Sequence, residues 1–298
     1  MNGKLPVISN IDFFGKNVLV RGDFDVDDGN NPRAESIREI VKFLQNGGAA
    51  KIRVFGHTET SFDLAGQLAG EFAGVEFDST VRKDPREKEN SEEYANLLSN
   101  GWDVFVNESF ATSHRKHASI VAVPQVMKKA GKTVGVGLRF AKELSKLADV
   151  WDKPGRRILV IGGTKIDDKQ KFVEDHRDKF AAVLTGGLLP GTQRREDGLD
   201  ISDSTIEKYV TEISTAEVIL AAGVMGKYED PNCSKGTKTI LEAIANCGAY
   251  KVAGGGDIEM AISTYGLTEK FDWISVGGGA MLQYLSAGTL VGIEAISE

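Results

Sequence analysis

Nine short apolar, β-branched runs recur along the chain, and each breaks into glycine or a polar cluster. They are VLV before RGDFD, IRVF before GHTE, VFV before NESFATSHRKH, TVGV before GLRF, ILVI before GGTK, AVL before TGGLL, VILAA before GVMG, KVA before GGGD and WISV before GGGA. Short runs without polar alternation read as strands buried on both faces, the mark of parallel sheets covered by helices. Between them lie helix-patterned stretches at 34–46, 91–100, 141–150, 167–179, 203–215, 236–247 and 280–287. This alternation predicts a doubly wound α/β architecture.

A parallel sheet binds ligands outside the carboxyl ends of its strands, so the residues just after each run carry the chemistry. In the first half they include Arg21, Asp23, Asp25, His57, Asn107, His114, Arg115 and His117. In the second half they are Gly162-Gly163, Gly186-Gly187, Gly223, Gly254-Gly255-Gly256 and Gly277-Gly278-Gly279. The change of character falls near 141–157, where Pro154-Gly155 marks a hinge. The expectation is two Rossmann-like domains facing a cleft and joined by a hinge helix. Their spans are 1–145 and 146–285, with a tail over 286–298 able to return to the first domain.

Composition narrows the function. The 298 residues are about two domains' worth of chain. A net charge of −7 speaks against nucleic acid and membrane surfaces as partners, since both are polyanionic. No apolar run is long enough for a membrane span, and the opening residues lack an export pattern, so the expected location is cytoplasmic. Two cysteines make neither a disulfide framework nor a four-ligand zinc site. Glycine is in excess, 34 residues against an average near 7%, and with no collagen period it serves local backbone geometry.

Glycines between a strand and a helix let backbone N–H groups approach a phosphate at the positive helix end. Lys165 and Lys169, in GGTKIDDK, add point charges. Asp257, closing KVAGGGD, suits a Mg²⁺ held mainly by nucleotide phosphates, although a helix cap is the commoner role for such a residue. Glu229 is either a ribose acceptor or a solvated loop acid. Neither a GxxxxGK[ST] loop nor a GxGxxG after a strand is present. In the first half Arg21, Arg33, Arg82 and Arg115 supply planar guanidinium forks suited to phosphate and carboxylate, with His57, His114 and His117 as further donors. His176 and the RRED run at 194–197 read as solvated surface. The residues thus describe a two-substrate phosphoryl transferase, with a small anion in the first half and a nucleotide in the second. Direct transfer needs positioning and charge neutralisation, and no covalent nucleophile.

The motifs, in order, resemble those of the phosphoglycerate kinase family nearly end to end. VLVRGDFDV resembles R-V-D-F-N-V, and VFGHTET resembles the H-L-G-R-P turn with His57 kept and Thr60 replacing the arginine. DVFVNESFATSHRKHAS is close to D-V-Y-V-N-D-A-F-G-T-A-H-R-A-H-A-S, and STVRKDPREKEN resembles E-N-L-R-F and its acidic sequel. ILVIGGTKIDDK resembles I-L-G-G-A-K-V-S-D-K, AAGVMGKYE resembles N-G-P-M-G-V-F-E, VAGGGDI resembles G-G-G-D-T, and ISVGGGAML resembles S-T-G-G-G-A-S-L. Asp25, Ala222, Ile258 and Val276 stand where the family has Asn, Asn, Thr and Thr.

The resemblance implies reversible phosphoryl transfer between 1,3-bisphosphoglycerate and ADP, giving 3-phosphoglycerate and ATP, with Mg²⁺ accompanying the nucleotide, in a monomer that closes about its hinge. It assigns Arg21, Asp23, Phe24, Asp25, Arg33, His57, Arg82 and Arg115 to the glycerate ligand. Gly162, Gly163, Lys165, Lys169, Gly186, Gly187, Glu229, Gly255, Gly256, Asp257 and Ile258 fall to the nucleotide, and Asp257 to the metal. Arg33, Lys165 and the Gly277, Gly278 and Gly279 amides act on the transferring group. The chain is also shorter than typical members, with the shortfall after LTGGLLP, which implies a reduced nucleotide domain. Two alternatives remain open: a degenerate relative that binds without turnover, and a kinase for another small carboxylate.

Overall fold

The computed structural model describes residues 5–297. The chain divides into two units, one comprising the residues up to Leu144 with those from Thr289 on, the other Ser145–Gly288. Each is built on its own five-stranded parallel sheet.

In the first unit, β1 (Asn17–Arg21), β2 (Lys51–Phe55), β3 (Val75–Asp78), β4 (Val104–Asn107) and β5 (Thr133–Val136) lie in the order β3-β2-β1-β4-β5. Val18, Leu19 and Val20 have no exposed surface, as a central strand covered on both faces requires. Helix α1 (Pro32–Asn46) starts where Asn31 accepts the Arg33 amide and Pro32 fixes the first helical residue. Its Ile37, Ile40, Val41 and Leu44 recur at helical spacing and share one core with Val18, Val20, Val54, Val104 and Val106. Each such side chain, fully buried, contributes about 1.5–3 kcal/mol. The helices α2 (Leu64–Glu71), α3 (Glu92–Ser99) and α4 (Val123–Lys129) complete the layers. The strand order reverses between β1 and β4, so the switch point lies outside Arg21 and Asn107.

Helix α5 (Leu138–Asp152) runs across the boundary between the units. At its start the Arg139 and Phe140 amides donate to the Glu108 carboxylate, at 2.9 and 3.4 Å. Near its end the Arg157 guanidinium donates to the carbonyls of Val150 and Trp151, at 2.9 and 2.7 Å. The sequence pattern began this helix at 141; the strand in fact stops before Gly137, and Glu108 supplies the cap.

The second unit carries β6 (Arg157–Ile161), β7 (Ala182–Thr185), β8 (Val218–Ala222), β9 (Tyr250–Gly254) and β10 (Trp273–Ser275), ordered β10-β9-β8-β6-β7. Its helices are α6 (Asp167–His176), α7 (Asp203–Ser214), α8 (Lys235–Asn246), α9 (Gly256–Thr264) and α10 (Gly278–Ala287). Reversal here falls between β6 and β8, outside Ile161 and Ala222. After α10 the chain rejoins the first unit through α11 (Val291–Ser297), whose Gly292 amide donates to the Ser113 carbonyl at 3.0 Å.

The nine expected strands and seven helical stretches all correspond to elements. Unforeseen were β3, α2, α4, α9 and α11. Two surface expectations are corrected: Arg194 of the RRED run is half-buried and donates to the carbonyls of Gly187 and Leu189, and His176 is buried, with Nε2 2.8 Å from Ser286 Oγ and its ring against Phe172. Aromatic packing excludes the water that a bare polar pattern would suggest.

Candidate functional site

At the switch point of the first unit, β1 ends in Arg21, which has no exposed surface. Its Nε donates to Ser119 Oγ at 2.9 Å, Nη2 to His57 Nδ1 at 3.0 Å, and Nη1 to the Gly22 carbonyl. Ser119 in turn gives its hydroxyl and amide to the buried Glu87 carboxylate, at 2.5 and 2.9 Å. A guanidinium is a donor only, so His57 Nδ1 accepts and the ring proton sits on Nε2. Burial, followed by Arg21, Arg82, Arg115 and His117, pulls the His57 pKa down to about 3. His117 falls to about 4 through burial and then Arg82, Arg115 and Arg21. Both imidazoles are therefore neutral at pH 7, and the same three guanidinium groups, Arg21, Arg82 and Arg115, depress both.

Arg33 joins this group from the first turn of α1. Its Nη1 donates to the Asp25 carbonyl at 2.9 Å and lies 3.6 Å from Asp23 Oδ2. Asp25 uses its carboxylate to accept the Glu59 amide at 2.9 Å, and the Glu59 carboxylate pairs with Arg82 Nη1. Among the described residues, Arg82 Nε and Asp23 Oδ2 are buried without a hydrogen-bond partner. Thr60 donates instead to the Val26 carbonyl at 2.7 Å and packs its hydroxyl against Thr58.

At the switch point of the second unit the backbones interlock. A Cβ on Gly187 would meet Gly163 N and O at 2.3 Å, and one on Gly223 would meet Gly162 O at 2.2 Å; both residues have positive φ. Only glycine fits there. Lys169 Nζ donates to the Gly162 carbonyl. Burial lowers its pKa while Asp257 acts to raise it and Lys165 to lower it, so the three charged groups share one locality. Helices α9 and α10 begin beside each other, the added Cβ of Gly278 falling 2.8 Å from Gly255 Cα. Neither has a side-chain cap hydrogen bond, which leaves first-turn N–H groups for an anion. Tyr228, raised by burial and then by Glu229 and Asp257, marks both acids as its neighbours.

Five of the assigned residues have their side chains or amides engaged within the protein. Phe24 and Ile258 are core side chains, 0% and 1% exposed, because the turn after β1 and the first turn of α9 each direct one apolar group inward. Arg21 has no exposed surface and spends its donors on Ser119, Gly22 and His57. Gly186 and Gly187 have already given their amides to the carbonyls of Ile161 and Met225, at 2.9 and 2.7 Å, so they shape the loop. Of the remaining residues, Asp23, Asp25, Arg33, His57, Arg82 and Arg115 lie in the first unit, and Gly162, Gly163, Lys165, Lys169, Glu229, Gly255, Gly256, Asp257 and Gly277–Gly279 lie in the second. Sequence reasoning missed Glu59, Glu87, Ser119 and Tyr228. Tyr228 adjoins Glu229 in the quoted motif, whereas the others carried no signal beyond a polar loop.

For Mg²⁺, Asp257 is an exposed carboxylate beside Lys169. Among the described residues no three His, Cys, Asp or Glu side chains cluster to hold a metal. This donor set fits an ion carried in by nucleotide phosphates with one protein carboxylate.

A family model for phosphoglycerate kinase matches residues 78–195 and 190–288. The chain belongs to the phosphoglycerate kinase family. The junction of the two matched stretches falls in the loop between β7 and α7, where the shortfall was expected. The phosphoglycerate kinase of Thermomicrobium roseum is 29% identical over 281 residues, covering 73% of this chain and 70% of the relative. That of Lactobacillus gasseri is 27% identical over 398 residues, covering 98% of this chain and 99% of the relative. This alignment is longer than the chain itself, so the relative carries stretches without a counterpart here. The fold is shared with the phosphoglycerate kinase structures from Coxiella burnetii and Pyrococcus horikoshii, each at a TM-score of 0.81. Identities are 21% and 22%; the alignments cover 98% and 97% of this chain and 98% of each structure. No helix among the described residues is long and apolar enough to cross a membrane.

Proposed function

We propose that this member of the family transfers a phosphoryl group directly between 1,3-bisphosphoglycerate and ADP, giving 3-phosphoglycerate and ATP. The reading is carried by the convergence of Arg21, His57, Arg82, Arg115 and His117 at one switch point. His57 offers Nε2–H, and Arg82 and Arg115 offer guanidinium forks, to a small acid bearing several anionic oxygens. Arg33 neutralises the oxygens of the phosphoryl group in transit. In the second unit, Lys165, Lys169 and the amides opening α9 and α10 receive the nucleotide phosphates. Asp257 would hold Mg²⁺, which supplies charge neutralisation between phosphate oxygens when bound. Direct transfer requires the two ligands to meet, and closure about α5 is part of the proposal. The protein acts as a monomer in the cytoplasm.

One observation favours a second reading, binding without turnover: Arg82 is paired with Glu59, and Thr60 replaces an arginine of the family pattern. A coupled assay with ADP, Mg²⁺ and 1,3-bisphosphoglycerate separates the two. Robust ATP formation is expected. Binding of both ligands without ATP formation supports the second reading, and activity confined to another acyl phosphate rules out the glycerate assignment.

A further inference from the structure

Within the cationic cluster, Arg82 is held by a carboxylate that projects from the exposed loop after β2. Glu59 Oε1 pairs with Arg82 Nη1, and its side chain is 63% exposed against 18% for Arg82. Glu59 takes Nη1 only, while on the opposite side of the fork Arg82 Nε is buried and without an acceptor among the described residues. A planar guanidinium is best satisfied by two oxygens of one oxyanion. Glu59 is not free to leave the area: its amide is fixed on Asp25 Oδ1 at 2.9 Å, and the Asp25 carbonyl receives Arg33. The carboxylate therefore swings about a tethered backbone, and because it is largely in water its departure strands no buried charge.

We propose that Glu59 is a built-in competitor for the anion site, a carboxylate that occupies Arg82 until a phosphorylated organic acid displaces it. The inference rests on the glycerate reading for the identity of the acid, though not for the displacement itself. A phosphorylated acid has oxygens enough to take the Nε–Nη2 edge and Nη1 together, so it displaces Glu59 and satisfies the orphaned donor. A monodentate or singly charged acid exchanges one contact for another and meets the displaced negative charge. Glu59 thereby selects for strongly anionic ligands and lowers affinity for all of them.

Glu59→Gln keeps the size of the side chain and removes its charge. Calorimetric titration at fixed salt, with 3-phosphoglycerate and separately with inorganic pyrophosphate, reads the result. Glu59→Gln is expected to tighten both ligands by roughly three- to tenfold, a little above the range set by exposed ion pairs because a like charge is also removed. Arg82→Ala should weaken both, and the gain from Glu59→Gln should shrink by at least half in that background, since the two residues act on one contact. Tightening of pyrophosphate, with no 3-phosphoglycerate binding to either protein, leaves the competitor in place and removes the glycerate reading. Unchanged or weaker binding in Glu59→Gln, or no binding of either ligand, overturns the inference; weaker binding would identify Glu59 as a support for Arg82.

Discussion

Arg21, Ser119 and Glu87 form a buried chain that ends on His57, and its consequence is a fixed tautomer. Nitrogen-15 spectra of labelled protein at pH 7 should show the His57 proton on Nε2. Ser119→Ala should weaken this preference, because Arg21 loses the partner that aims its fork. An Nδ1–H tautomer in the native protein would remove His57 as a donor to the ligand. The same residues set a pH dependence. His57 and His117 titrate below their ordinary value of 6.5, so the stability they contribute is present above it and lost as pH falls towards 4 and then 3. Glu108 has the opposite sign. Burial, opposed by bonds from Arg139, Ser36 and Phe140, raises it from 4.5 to about 7, and its contribution is lost as pH rises through that window. Each proton is worth roughly 1.4 kcal/mol per pH unit. Urea melts should show Glu108→Gln gaining on the parent protein between those pH values, and His57→Gln losing less stability on acidification. Parallel curves for all three proteins would contradict both assignments.

At the scale of elements, what the sequence revealed follows from how burial is written in it. Unbroken runs such as VLV and VILAA announced central strands. β3 did not, because VEFD is half-exposed and places an acid on one face. Helix α9 starts within the glycine run itself, which reads as loop, and α2 carries Gly66 and Gly70 with only Leu64 and Leu68 buried. His57 and Arg115 stood out as basic groups after buried strands in an acidic chain, Arg33 at the start of a helix, and Arg82 only within a polar connection. Glu59 and Glu87 were not, since a loop glutamate looks the same whether it faces water or a guanidinium. The cap of α1 links stability to function. Asn31→Ala should cost about 1 kcal/mol and, because Arg33 lies in that first turn, should also lower kcat. The matching change at the cap of α7, Ser202→Ala, should cost a similar amount by thermal melt and leave kcat unchanged. Equal kinetic effects at the two caps would detach Arg33 from the start of α1. Gly223→Ala, forced against the Gly162 carbonyl in a positive-φ conformation, should destabilise by several kcal/mol and abolish ADP binding.

For the whole molecule, each sheet supplies its own switch point, one cationic and one lined by glycine. The division of labour follows from chemistry: guanidinium groups and neutral imidazole donors suit an acid, whereas helix-start amides and lysines suit nucleotide phosphates. The loop between β7 and α7, where the two stretches of the family match meet, is tied back to the sheet. Arg194 spans it, donating to the carbonyls of Gly187 and Leu189 at 2.6 and 3.3 Å, which ties the shortened segment to the glycine knot. The proposed function gives its two ligands to separate units, so damage to one unit should spare binding in the other. Arg33→Ala tests this most directly, through steady-state turnover with 1,3-bisphosphoglycerate and calorimetric binding of ADP on the same preparation. The predicted result is a fall in kcat of about 10³ or more with ADP affinity unchanged within twofold. Turnover equal to that of the parent protein, or loss of ADP binding in step with turnover, would contradict the account.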